Sequence, residues 1–138
     1  MRTLHFGLRV ADQDRSLAFY SAVGYEIVGR VPDTPLGELT MLKLPDDEFV
    51  TIELVHDPSQ GVNNVGKALS HFVINVDSMD ATIAELSARG IDAETPTSPD
   101  GSTDFRTMWI VDPDGNRIEL VQWPAGHADG VTGADWGN

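Results

Sequence analysis

The chain has 138 residues, a net charge of −13 and no cysteine. That length fits one domain burying about two-thirds of its unfolded surface, and the missing thiols exclude disulfides, thiolate nucleophiles and Cys-based zinc sites and accord with a cytoplasmic setting. Only nine residues are Lys or Arg, which argues against a nucleic-acid partner, and no apolar run nears the ~18 residues of a membrane helix or resembles a signal peptide.

In chain order, residues 4–10 alternate, with Leu4, Phe6, Leu8 and Val10 on one face and His5, Gly7 and Arg9 on the other. This predicts a strand. Asp12 or Asp14 then caps a helix to about Val23, with Leu17, Phe19, Tyr20 and Val23 on its apolar side and Gly24 as its stop. Strands are expected over 25–31, 38–44 and 49–55, with a loop at 32–37 and a turn at 45–48. The first module is therefore βαβββ, over about residues 4–58. A turn-rich linker leads to Ser70.

The second module, about 70–124, repeats the order. A strand over 70–76 precedes a helix capped by Asp77 or Ser78, running to about Arg89 and closed by Gly90. A short strand at 91–95 and a polar loop at 96–104 follow. Residues 105–111 and 117–122 form a hairpin around Asp112-Pro113-Asp114-Gly115, a strong turn signal. Lys43, Arg106 and Arg117 read as solvated strand residues, and His56 and His127 as surface residues. Trp123 and Trp136 read as packing residues or anchors of an irregular tail over 125–138.

The doubling has a fixed period. Laying 4–27 over 70–93 without a gap gives eight identities in 24 positions, among them His5/His71, Phe6/Phe72, Val10/Val76 and Gly24/Gly90. The same offset of 66 residues relates Thr51-Ile52-Glu53-Leu54-Val55 to Arg117-Ile118-Glu119-Leu120-Val121. This is one duplicated half-domain rather than a solenoid.

Alternation fixes which way the key residues face. Ile52 and Leu54 oppose Glu53, and Ile118 and Leu120 oppose Glu119. His5 and His71 oppose Phe6 and Phe72. Each module thus sets one imidazole and one carboxylate on the side away from its helix, and two modules related by a pseudo-two-fold axis would bring all four together. A carboxylate in a partly buried cleft needs a counter-charge, a proton or a cation. Two nitrogen and two oxygen donors satisfy one divalent ion of the Ni, Co, Fe, Mn or Zn type better than Ca or Mg, and leave positions open for substrate.

At these residues the sequence resembles the glyoxalase I / vicinal-oxygen-chelate superfamily, from Leu4 to about Gln122. The segments that carry it are Leu4-His5 with Arg9-Val10, Asp14-Arg15-Ser16 with Phe19-Tyr20, Thr51-Ile52-Glu53-Leu54, Ser70-His71-Phe72, and Asp112 to Leu120. The resemblance implies an α+β fold, tandem βαβββ modules forming a half-barrel sheet, in one domain over 1–138. Glu53 at the second ligand position resembles the lactoylglutathione lyase branch, and the short chain resembles its compact bacterial form. That implies Ni2+ or Co2+, ahead of Zn2+, Mn2+ or Fe2+, held by His5, Glu53, His71 and Glu119. It implies isomerisation of a methylglyoxal–thiol hemithioacetal to a D-lactoyl thioester, with Glu119 matching the base and Glu53 its symmetry mate. It implies a homodimer whose sites each combine the first module of one chain with the second of the other. Arg9 matches an arginine that holds a glutathione carboxylate. Trp109, on the strand before the Asp112-Pro113-Asp114-Gly115 turn, reads equally as a pocket-lining, substrate-contacting residue or as a core residue. Two positions depart from the family pattern: Asp57 stands where it has an Asn, and Pro99-Asp100-Gly101 stands where it has a basic residue. Other readings of the same fold are an epimerase, a ring-cleaving dioxygenase or a non-catalytic antibiotic-binding protein.

Overall fold

A computed structural model of the chain describes residues 1–60 and 69–137; residues 61–68 of the expected linker lie outside them. Two compact units emerge. The first comprises Met1–Ala68 with Asp112–Gly115, the second Leu69–Val111 with Asn116–Asn138.

The first unit contains β1 (Phe6–Arg9), α1 (Gln13–Val23), β2 (Glu26–Val31), β3 (Glu38–Lys43) and β4 (Ile52–His56). The sheet order is β1-β4-β3-β2. β1 runs parallel to β4, with Gly7 opposite Glu53 and Arg9 opposite Val55. β3 lies antiparallel to β4, with Met41 opposite Glu53. Asp12 is the N-cap of α1, its carboxylate accepting from the Arg15 amide, which satisfies a donor the helix cannot. Leu8, Val10, Leu17, Tyr20, Leu42, Ile52 and Leu54 form the core. The expected apolar face of the first strand is only half realised, because Leu4 and Phe6 stay exposed. The side of α1 that packs inward is Gln13, Ser16, Leu17 and Tyr20, so Phe19 and Val23 are displaced from it.

Two polar anchors explain that helix face. Ser16 Oγ donates to Asp114, which also accepts from the Ala11 amide. The Tyr20 hydroxyl donates to buried Asp112 at 2.6 Å. The Asp112-Pro113-Asp114-Gly115 turn therefore serves α1 with both carboxylates, beyond closing its hairpin. Burial, and then the Asp112 charge, push the Tyr20 hydroxyl far above its ordinary pKa, so it stays a donor.

The second unit contains β5 (His71–Asn75), α2 (Met79–Ala88), β6 (Arg106–Val111) and β7 (Arg117–Gln122). Its sheet order is β5-β7-β6. β5 is parallel to β7, with His71 opposite Arg117 and Val73 opposite Glu119. β6 is antiparallel to β7, with Trp109 opposite Glu119. Ser78 caps α2. Ile74, Met79, Leu86, Met108, Ile110, Ile118 and Leu120 make the core.

The strand expected at 91–95 does not form, so this module is βαββ. Among the described residues of this stretch, Glu94 and Thr97 bond β6, through Glu94 N–H to the Trp109 carbonyl and a paired exchange between Thr97 and Thr107. Pro96 stands between them without a donor, and Asp92, Ala93 and Glu94 have little strand preference. The tail also departs from expectation: Gly133–Trp136 forms a 3-10 turn, and Phe105, Trp123 and His127 stack in a row.

Candidate metal centre

Both units build the same two-residue feature by the same route. In the first, His5 Nε2 lies 3.4 Å from Glu53 Oε2; in the second, His71 Nε2 lies 3.5 Å from Glu119 Oε2. The register explains the match. In each unit the histidine sits two residues before the residue that pairs with the glutamate, Gly7 in one and Val73 in the other. The duplication seen in the sequence is therefore a duplication of geometry.

The carboxylates are the more enclosed partners, at 15% and 21% side-chain exposure against 38% and 35% for the imidazoles. Both gaps exceed a good N–H···O hydrogen bond, about 2.7–3.2 Å. They are ion-pair distances that one ion could also bridge: metal bonds of about 2.0–2.2 Å put adjacent donors roughly 3.4 Å apart in tetrahedral geometry, close to both gaps, and roughly 3.0 Å apart in octahedral geometry, shorter than either. One imidazole nitrogen and one carboxylate oxygen per pair also suit a borderline divalent ion. The residues fit the group, as two half-sets. Among the described residues no group of three or more His, Asp or Glu lies together as an ion would need. The four residues expected as ligands stand as two pairs, one within each unit.

The surroundings of the pairs differ. Next to the first, Gly7 borders the Glu53 carboxylate, and a Cβ there would stand in ordinary contact with it at 4.0 Å. Arg9 follows on the same face, and the strand rise puts it roughly 13 Å from His5. Asp57 lies one alternation beyond Val55, Arg9's ladder partner. Its carboxylate accepts from Ser59 N–H and Oγ at 2.9 and 2.7 Å. Those bonds, with a contribution from the Arg9 charge, hold it below the usual carboxylate pKa. Asp100 is likewise held down, by Ser102, within its own turn. His56 Nδ1 lies 3.3 Å from the Val10 carbonyl and is not simply a surface residue.

Beside the second pair, Trp109 meets the His71 ring edge-to-face, centroids 5.0 Å apart. Arg117 lies 4.1 Å above the Trp109 ring and 3.3 Å from Glu94. Arg117 is thus exposed, as expected, but also stacked and paired. Arg106 pairs with Asp80 at 2.7 Å, and Lys43 donates to the Asp47 carbonyl. Ser70, expected only as the start of the strand, has its Oγ 2.9 Å from His71 Nδ1; a hydroxyl directly before a candidate ligand was the available signal.

The chain belongs to the Glyoxalase/Bleomycin resistance protein/Dioxygenase superfamily, whose model matches residues 2–120. Members of that family generally bind a divalent metal. A Vibrio cholerae protein named probable lactoylglutathione lyase is 34% identical over 131 residues, covering 92% of this chain and 94% of its own. An Arabidopsis thaliana protein named probable lactoylglutathione lyase, chloroplastic, is 30% identical over 88% of this chain, which spans 35% of that longer relative. The trypanothione-dependent glyoxalase I of Leishmania major has a similar structure, with a TM-score of 0.70, 26% identity, and coverage of 88% of this chain and 86% of its own. Among the described residues no helix is long and apolar enough to cross a membrane.

Proposed function

We propose that the protein is a metal-dependent lyase of the lactoylglutathione lyase kind, acting in the cytoplasm as a homodimer. Its substrate is the hemithioacetal of methylglyoxal and a thiol, and its product a D-lactoyl thioester. One observation carries this reading: two His–Glu pairs, His5–Glu53 and His71–Glu119, at the same strand register with the same spacing. Similarity to relatives bearing that name supports it.

We assign the ion, Ni2+ or Co2+, to the first pair of one chain and the second pair of its partner. When bound it supplies a positive charge that polarises the substrate oxygens and stabilises negative charge as the C1 proton leaves. The chain's own residues do the rest. Glu119 takes the proton from C1 and returns it at C2, and Glu53 balances it from the symmetry-related position. The low exposure of both carboxylates limits water's access to the proton in transit. Arg9 offers the thiol's carboxylate a charge-assisted bond, tempered by Asp57 beside it, and Trp109 borders the same face.

The test is thioester formation by Ni2+-loaded protein, with glutathione and trypanothione as thiols. Glu119→Gln should lower kcat by about 10²–10⁴-fold, the usual loss with a general base. Absence of turnover with either thiol, or full activity of Glu119→Gln, would contradict the proposal.

A further inference from the structure

The second pair is held by more than its strand, and among the described residues the first shows no aromatic counterpart. Four side chains from three strands share one face of the second sheet. Arg117 and Glu119 come from β7, His71 from β5 and Trp109 from β6. Because β5 and β6 flank β7, their backbones lie about 10 Å apart. The indole and imidazole close that gap above β7, meeting with centroids 5.0 Å apart and planes at 80°. Arg117, the ladder partner of His71, lies 4.1 Å from the indole centroid and is tied at its outer end to Glu94 at 3.3 Å. In the first unit Met41, without a ring, stands opposite Glu53 where Trp109 stands opposite Glu119. Thr51, at the repeat position of Arg117, bonds Asp47 instead.

We propose that Trp109 and Arg117 are positioning residues, a brace that fixes the His71 imidazole so that its Nε2 is presented beside Glu119. This rests on the reading of His71 as a metal ligand and adds to it. The geometry constrains the ring at three places. Ser70 Oγ meets Nδ1 at 2.9 Å, and when it accepts the Nδ1–H it leaves the Nε2 lone pair available. Trp109 sets the ring plane. Arg117 pins the indole by a cation–π contact, with Glu94 holding the guanidinium in turn. A neighbour that orients a ligating imidazole changes metal affinity by about 10–100-fold when removed. The brace makes the two halves unequal, His71 arriving oriented while His5 has no aromatic support from position 41.

The experiment uses the full chain. Ni2+ affinity is measured by calorimetric titration for the parent and for Trp109→Leu, Trp109→Phe, Arg117→Gln and Met41→Leu. Visible spectra of the Co2+-loaded proteins are recorded alongside, because ligand-field bands shift with imidazole orientation, as a merely structural role would not require. Trp109→Leu should weaken Ni2+ binding about 10–100-fold and shift the bands. Trp109→Phe should recover part of the affinity, Arg117→Gln should lose severalfold, and Met41→Leu should match the parent. Unchanged affinity and spectrum in Trp109→Leu would overturn the brace and leave the metal reading standing. Failure of the parent to bind Ni2+ or Co2+ would overturn both. Should Trp109→Leu not fold, Arg117→Gln decides: its side chain is 48% exposed, and affinity equal to the parent's would refute the brace.

Discussion

At the scale of single residues, each half-site is an imidazole and a carboxylate placed by strand alternation. On the proposed function, Arg9 and Asp57 are the residues that would bear on which thiol is accepted. Asp57 is fixed by Ser59 and lies in the field of Arg9, so it offsets part of the attraction for an anionic thiol. Asp57→Asn should lower the KM for the glutathione hemithioacetal about two- to fivefold, as for an exposed ion pair, with kcat unchanged; steady-state kinetics at constant ionic strength reads this directly. Tyr20 illustrates a buried polar contact with a structural task. Removing its hydroxyl leaves buried Asp112 short of a 2.6 Å bond. Tyr20→Phe should therefore cost about 1.5–3 kcal/mol in urea unfolding, the range for hydrogen bonds to charged groups.

These residues also mark the limits of reading the sequence. His5, Glu53, His71 and Glu119 were legible because the period of 66 residues and strand alternation act together: one supplies the pairing, the other the side. Arg117 is exposed, as alternation implies, but its stack with Trp109 depends on a packing direction that alternation does not encode. Asp112 and Asp114 were legible as turn residues, but their bonds to Tyr20 and Ser16 join positions 92 and 98 residues apart, and no local pattern predicts such contacts.

At the scale of elements, a few local devices set the strand ends. The loop entering β3 turns at Gly37, whose φ is +114°, and a Cβ there would lie 2.4 Å from the His56 carbonyl oxygen. Gly37→Ala combines a left-handed backbone with a clash against the end of β4. It should destabilise the chain by more than about 2 kcal/mol, checked by the midpoint of thermal unfolding. The strand predicted at 91–95 was lost because a single Pro96 and three weak strand formers outweigh the symmetry of the repeat. The duplication shows what was inherited, and the local chemistry shows what was kept.

The tail is the element with a pH dependence. His127 stacks on Trp123 at 4.5 Å, its Nδ1 lies 2.7 Å from the Ala128 carbonyl and its Nε2 lies 2.6 Å from Asp135. Two acceptors on one ring require two N–H groups, so the bonded form is the imidazolium. The Ala128 carbonyl and then Asp135 raise its pKa above the usual 6.5. Asp135 is lowered below 3.8, chiefly by the Thr132 amide and then by His127. A raised histidine contributes stability in full below its unfolded value and loses it as pH climbs through its folded value; a lowered aspartate does the reverse on acidification. The tail should be best ordered between about pH 4 and 6.5 and loosen as pH rises above that window. Trp123 fluorescence across pH 5–9 is the measurement; a signal flat over that range would contradict the assignment.

At the scale of the whole molecule, the proposed ion would link fold and site. If the ion binds only folded protein, stability increases with its concentration. Ni2+ at about 100 times its dissociation constant should raise the unfolding temperature by roughly 5–10 °C, and a chelator should abolish the shift. The bulk acidity acts differently. A net charge of −13 attracts cations in general, but that attraction is screened by salt. Binding at the paired ligands should persist at high ionic strength, which separates a built site from diffuse attraction.

The central claim is that one ion joins the His5–Glu53 pair of one chain to the His71–Glu119 pair of its partner. Mixing two inactive variants tests it most directly. His5→Ala and His71→Ala should each lose bound Ni2+ when assayed alone. Equimolar chains, unfolded and refolded together, should regain about one quarter of the parent stoichiometry, because half of the dimers are mixed and each mixed dimer has one intact site. Parent-level Ni2+ in either variant alone, or a mixture that binds no more than its components, would contradict the account.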